Sequence, residues 1–233
     1  MFLSQLSLRN FRNYSKATFE FSNQTTLIVG PNTSGKTNIL EAISLLSLSK
    51  SMRGHKSQDM VRIGQEVGSV KGNLDETSLE VVVTSGFVQG APTQRKKLLV
   101  NGVPRRALDF VGQLKSAIFE PEDLELVHAS PDRRRSFLDD VLLQVDREYR
   151  QAYLVYDRAL RQRNRLLRRM KEEGKELDLS YWDDLLIRNG YVLTSARERF
   201  IDFLNEQPKR FGKFFLEYDK STVTKERFTT YHT

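Results

Sequence analysis

A chain of 233 residues has room for two small domains or one domain with an appendage, and its 39% apolar content is enough for a real core. A net charge of +7 favours a polyanionic partner, nucleic acid or membrane surface. The lack of cysteine excludes disulfides, thiolate metal sites and thiol catalysis, and the three scattered histidines (His55, His128, His232) argue against a histidine metal centre. No apolar run approaches the roughly 18 residues of a membrane span. Met1 to Asn10 alternates apolar and polar without a signal-peptide core, so a cytoplasmic protein with no membrane partner is the expectation.

In chain order, Phe2, Leu6 and Leu8 share a pattern with Ala17, Phe19 and Phe21 around the turn Asn13-Tyr14-Ser15, which predicts an antiparallel pair. Thr25-Thr26-Leu27-Ile28-Val29 reads as a buried strand ending at Gly30. From Lys36 the apolar residues Ile39, Leu40, Ile43, Leu46 and Leu48 fall at helical spacing. Between Val67 and about Leu99 the period returns to two, and Asn101-Gly102 between apolar residues predicts a hairpin. Ser116 to Phe119 reads as one more buried strand, closed by Pro121. Ser130-Pro131-Asp132 is a helix start, with an N-cap, proline at the first position and an acid in the first turn. Two long helical stripes follow, Tyr149 to Met170 and Trp182 to Phe203, joined by a polar connection with Gly174, which predicts an antiparallel helical hairpin.

The chemistry is concentrated in Gly30-Pro31-Asn32-Thr33-Ser34-Gly35-Lys36-Thr37, which matches G-x-x-x-x-G-K-[ST]. Glycines let the backbone curl so that successive N–H groups face phosphate oxygens. Lys36 is a compact cation for the β- and γ-phosphates, the Thr37 hydroxyl suits Mg²⁺, and the following helix aims its positive end at the same anion. Two other segments only imitate motifs. Phe137-Leu138-Asp139-Asp140 lacks the apolar run of a Walker B strand and reads as helix surface, and Ser85 to Gly90 reads as a loop rather than an ABC signature.

The basic residues are unevenly spread. Arg147 to Lys175 holds ten Lys or Arg against four acids, a local balance of +6 that suits tracking of phosphates. Arg161, Arg165, Arg168 and Arg169 are its candidate DNA contacts. Arg163 is set apart because Gln162-Arg163-Asn164 is read as packing against the ATPase lobe. Arg95, Lys96, Lys97, Arg105 and Arg106 form a weaker patch.

Together these residues resemble the RecF family of DNA repair ATPases, relatives of SMC and ABC-type heads. The resemblance runs through Leu8-Arg9-Asn10-Phe11-Arg12-Asn13-Tyr14, Gly30-Pro31-Asn32, Gly35 to Ala42, Phe119-Glu120-Pro121-Glu122-Asp123-Leu124, Pro131, Arg134-Arg135, Phe137-Leu138-Asp139, Gln162-Arg163-Asn164 with Leu167, and Trp182-Asp183. It implies an α/β fold: a P-loop ATPase head lobe of the ABC/SMC type with an antiparallel β subdomain over residues 1–129, and a helical arm over residues 130–233. It further implies ATP and Mg²⁺ as cofactors, binding to DNA gaps and junctions, RecO- and RecR-type mediators as partners in recombinase loading, and an ATP-dependent homodimer. Arg12 would approach the nucleotide, Arg53 resembles an arginine loop of SMC heads, and Glu120 to Asp123 stands in place of a Q-loop.

Members of the family continue for a further hundred or so residues that carry the signature and Walker B acids. The sequence is accordingly read as a fragment, with the weak ATPase activity of the family not expected of it as it stands. An OLD-type nuclease-associated ATPase head and a non-hydrolysing DNA-binding module remain the alternatives, with a small-molecule kinase behind both.

Overall fold

The alternation at the start of the chain builds the expected antiparallel pair, β1 (Leu3–Phe11) and β2 (Tyr14–Glu20), with Leu6 opposite Phe19 and Leu8 opposite Ala17. The computed structural model describes residues 2–52, 56–126 and 130–206, and the chain divides into two compact units, Met1–Glu125 and Leu126–Thr233.

In the first unit, α1 (Lys36–Leu48) is followed by β3 (Val67–Leu74), β4 (Thr77–Thr84) and a small ribbon of β5 (Phe87–Val88) and β6 (Ala91–Pro92). Then come β7 (Lys96–Val100), β8 (Val103–Pro104) and a single turn, α2 (Ala107–Phe110). Six strands form one antiparallel sheet in the order β2-β1-β3-β4-β7-β8. Asn101 and Gly102 link β7 and β8 with φ of 51° and 76°, the paired left-handed residues that a tight primed turn needs.

The two-residue period sends Leu6, Leu8, Val70, Leu79 and Val81 to one buried face. The helix α1 packs on β3 and β4, with Ile39, Ala42, Leu45 and Leu46 buried. Its approach depends on Gly72 of β3, where a Cβ would come within 2.7 Å of Leu46 Cδ1. Burying each Leu, Val or Ile contributes about 1.5–3 kcal/mol, so this contact is the main stabilising layer of the unit.

Two expected strands do not form. Thr25–Val29 and Ser116–Phe119 lie outside both sheets, with Leu27 and Val29 at 83% and 81% exposure and Phe119 at 72%. β-branched composition favours a strand only where a neighbouring strand supplies the ladder, and neither segment joins a sheet among the described residues.

In the second unit, the Ser130 side chain accepts the Arg133 N–H at 3.4 Å and starts α3 (Pro131–Val145), with Pro131 in its first turn. Asp146 closes α3 and opens α4 (Arg147–Glu173), its carboxylate accepting the Tyr149 N–H at 3.0 Å. Gly174, with φ of 65°, ends α4 before α5 (Ser180–Glu206). Arg163 donates to Asp183 and Arg197 contacts the Tyr149 hydroxyl, pairings that run α4 and α5 antiparallel. Within the hairpin Arg163 Nε lies 2.6 Å from Asp183 Oδ1.

Asp139 corrects another expectation. Phe137–Asp140 is helical, but Asp139 is buried instead of lying on the helix surface. It accepts from the Tyr149 hydroxyl and from Arg197, whose Nε and Nη2 lie 2.9 and 2.8 Å away. A buried carboxylate needs such partners, and periodicity alone does not reveal them.

Candidate nucleotide site

The turn between Val29 and α1 positions Gly30 to Thr37. Gly30 to Ser34 and Thr37 are exposed, Lys36 is half-buried and Gly35 is buried. Gly35 is the residue before α1 and has φ of 101°, which L side chains rarely adopt. A Cβ there would also sit 2.6 Å from Asn13 Nδ2 and 2.8 Å from Tyr14 Oη. At Gly30 a Cβ would meet Ser34 Oγ at 3.0 Å. Both glycines therefore keep the loop tight. The Asn38 and Ile39 N–H groups both donate to the Gly35 carbonyl, so the donors left for an anion at this end of α1 are the N–H groups of Lys36 and Thr37.

The Lys36 ammonium turns back on its own loop, donating to the carbonyls of Gly30 and Pro31 at 2.7 Å each. These contacts hold the ammonium over the loop. The Thr33 hydroxyl donates to the Asn32 carbonyl at 2.5 Å, and Thr33 itself has φ of 68°. Arrangement and donor set fit a nucleotide polyphosphate, with Thr37 as the hydroxyl beside it.

Support for the loop comes from residues that the sequence marks only as turn or motif members. Asn13, at the β1–β2 turn, donates through Nδ2 to the Ser34 carbonyl at 3.1 Å and accepts from Asn38 Nδ2 at 2.9 Å. Arg62 holds that turn in place by donating to the Asn13 carbonyl at 2.8 Å. The Tyr14 hydroxyl lies beside Gly35, and burial raises its pKa.

Arg12 lies beside Asn13 and is paired with Glu41 of α1. Its guanidinium makes two bonds to the Glu41 carboxylate and donates to the Asp59 carbonyl at 2.7 Å. Glu41 has no exposed surface, and Ser51 Oγ donates to the same carboxylate at 2.5 Å. The pair thus ties the β1–β2 turn to α1. Arg53 lies outside the described residues.

On α4, Arg161, Arg165, Arg168 and Arg169 are all exposed. At about 100° per residue, Arg158, Arg161, Arg165, Arg168 and Arg169 fall on one stripe roughly 16 Å long, opposite the buried face of Tyr149, Ala152 and Ala159. Asp157 pairs with Arg161 at 2.5 Å and Glu173 with Arg169 at 2.6 Å. Arg150 has left the basic set: it is buried and donates to the Leu143 carbonyl at 2.6 Å. In the weaker patch, Lys96 is committed to the Ser49 carbonyl at 2.5 Å, and burial lowers its pKa. None of the helices in the described residues is long and apolar enough to cross a membrane.

Residues 1–183 match the AAA ATPase domain family. The DNA replication and repair protein RecF of Cyanothece sp. is 38% identical over 204 residues, 86% of this chain and 53% of that protein. The protein of the same name from Thermosynechococcus vestitus is 36% identical over 226 residues, 96% of this chain and 59% of its own length. A solved structure of the recombination mediator protein RecF-ATPrS in the RecFOR pathway superposes with a TM-score of 0.74 at 34% identity, over 88% of this chain and 55% of the other. The chain therefore spans a little over half the length of these relatives, and its α/β architecture is that of a RecF ATPase head. A P-loop in the described geometry, set in a sequence that matches these proteins over most of its length, makes this chain a member of the RecF family.

Proposed function

We propose that the chain binds ATP with Mg²⁺ through Gly30 to Thr37 and binds DNA through the exposed arginines of α4, as part of recombinational DNA repair and replication. The observation that carries the reading is the loop itself: Gly35 in the left-handed region, Lys36 poised over the Gly30 and Pro31 carbonyls, and α1 beginning directly after. Lys36 would balance phosphate charge, the loop and first-turn N–H groups would hold the oxygens, and Thr37 would place its hydroxyl on Mg²⁺. Family membership supports ATP as the nucleotide, since a relative has been solved as RecF-ATP. Recombinase loading with RecO- and RecR-type mediators, and an ATP-dependent homodimer, are proposed with it. A cytoplasmic location is proposed because ATP and DNA are both found there.

Calorimetry with ATP and Mg²⁺ on the chain and on Lys36→Ala tests the reading. Losing one partner of a charge pair costs about 2–4 kcal/mol here, by comparison with truncated pairs at interfaces. Equal affinity of the two proteins would overturn the assignment.

A further inference from the structure

The sheet of the first unit has a second face, and its charges are arranged against the stability of the sheet. Lys16 of β2 stands directly opposite Arg9 of β1, and the same cross-strand row continues through Ser69 of β3 and Val82 of β4 to Lys97 of β7. Arg9, Lys16 and Lys97 are exposed, and none of them makes an ion pair among the described residues. Like charges directly opposite on neighbouring strands are destabilising. In the next row Lys71 stands opposite Glu80 in register, whereas no acid stands in the row of Arg9. A polyanion laid across the row offsets the repulsion between Arg9 and Lys16.

We infer that this row is a contact surface for the backbone of duplex DNA, separate from the arginines of α4 and resting on the DNA-binding reading above. The spacing favours a duplex. From Arg9 to Lys97 the row crosses three strand intervals, about 14 Å at the usual interstrand distance. That matches the roughly 12 Å width of the major groove, so Lys16 and Arg9 meet one phosphate backbone and Lys97 the other. The Ser69 hydroxyl lies between them as a further donor. No aromatic residue stands in this row, so it offers no platform for stacking the bases of a single strand. Contacts of this kind position the protein without reading sequence.

The experiment compares the chain with Arg9→Gln/Lys16→Gln/Lys97→Gln and with Arg161→Gln/Arg165→Gln/Arg168→Gln, by fluorescence anisotropy on a mixed-sequence duplex over a salt series. The sheet variant is expected to bind at least ten-fold more weakly at moderate salt, with a slope of log K against log salt flatter by about 2 to 3. Its thermal stability should be unchanged or raised, because the opposed cations are gone. ATP affinity should not change. An unchanged slope in the sheet variant overturns the surface; if the α4 variant flattens the slope in the same experiment, the broader DNA-binding reading stands without it. Failure of the unmodified chain to bind duplex overturns both. Salt-dependent binding to phosphatidylglycerol vesicles that the sheet variant alone loses, with its duplex slope intact, would assign the row to a lipid surface instead.

Discussion

Arg12 and Glu41 form a two-point ion pair across the first unit, Nε to Oε2 at 2.8 Å and Nη2 to Oε1 at 2.6 Å, around a carboxylate with no exposed surface. The bond joins the β1–β2 turn, which holds the P-loop through Asn13, to the helix that follows the loop. Removing one member leaves the other buried and uncompensated, a loss of about 3–5 kcal/mol. Glu41→Ala should therefore unfold at markedly lower urea concentration, and Glu41→Gln, which keeps the shape and an acceptor, should fall between. A Glu41→Ala midpoint equal to that of the unmodified chain would show that the pair contributes nothing.

Gly35 and Asn13 make a prediction about the loop rather than the fold. Gly35→Ala would place a Cβ 2.6 Å from Asn13 Nδ2 on a residue already at φ of 101°. The left-handed region alone costs an L residue about 1–2 kcal/mol. Nucleotide affinity should fall by at least ten-fold. Asn13→Ala, which loses the bonds to Ser34 and Asn38 without the backbone strain, should weaken binding several-fold. Calorimetric titration with ATP on the two variants checks the order; a Gly35→Ala protein binding as tightly as Asn13→Ala would contradict it.

Alkaline pH should loosen the second unit. Burial first, and then the neighbouring Asp139 carboxylate, push Tyr149 above the ordinary phenol range, and the same causes push Tyr153 up to about 12. Both groups favour the neutral form when folded, so the unfolded chain loses protons first as pH rises above the ordinary value of 10.0. Their contribution is intact below pH 10.0; that of Tyr153 is lost by about 12, and that of Tyr149 goes on falling above it. Denaturation midpoints should fall over that window while tyrosinate absorbance appears late. Midpoints that hold steady across the window would remove both tyrosines from the account.

Where each residue's signal is local, the chain was readable. The strand pair around Asn13, the helix from Lys36, the hairpin at Asn101-Gly102 and the cap at Ser130 all depend on neighbours within a few positions. The tight turn at Gly35 that leads into α1 was legible for the same reason. Thr25–Val29 and Ser116–Phe119 were misread because strand formation needs a distant partner that local composition does not announce. The partners of Glu41, Asp139 and Arg163 come from other elements, so no periodicity identifies them. One signal was available: a charged residue inside an apolar helical stripe, such as Glu41 beside Ala42, requires a buried counter-charge.

The exposed stripe of α4 supplies the last prediction. Arg161, Arg165 and Arg168 lie on the face opposite the buried residues, so replacing them with Gln removes three charges without touching the core. The pair between Arg161 and Asp157 is at the surface and contributes about 0–1 kcal/mol, so stability should barely change. Arg163 is left intact because its bond to Asp183 fastens α4 to α5. If these arginines neutralise phosphates, each contact contributes about −0.9 to the slope of log K against log salt, and the variant should be flatter by up to about 3. Affinity should fall to a similar extent on duplexes of different sequence, because phosphate contacts carry little base information. Circular dichroism should show the helices unchanged, which separates a lost contact from a lost fold. A slope equal to that of the unmodified chain, with the helices intact, would make the stripe a solvated surface and leave DNA binding to other residues of the chain.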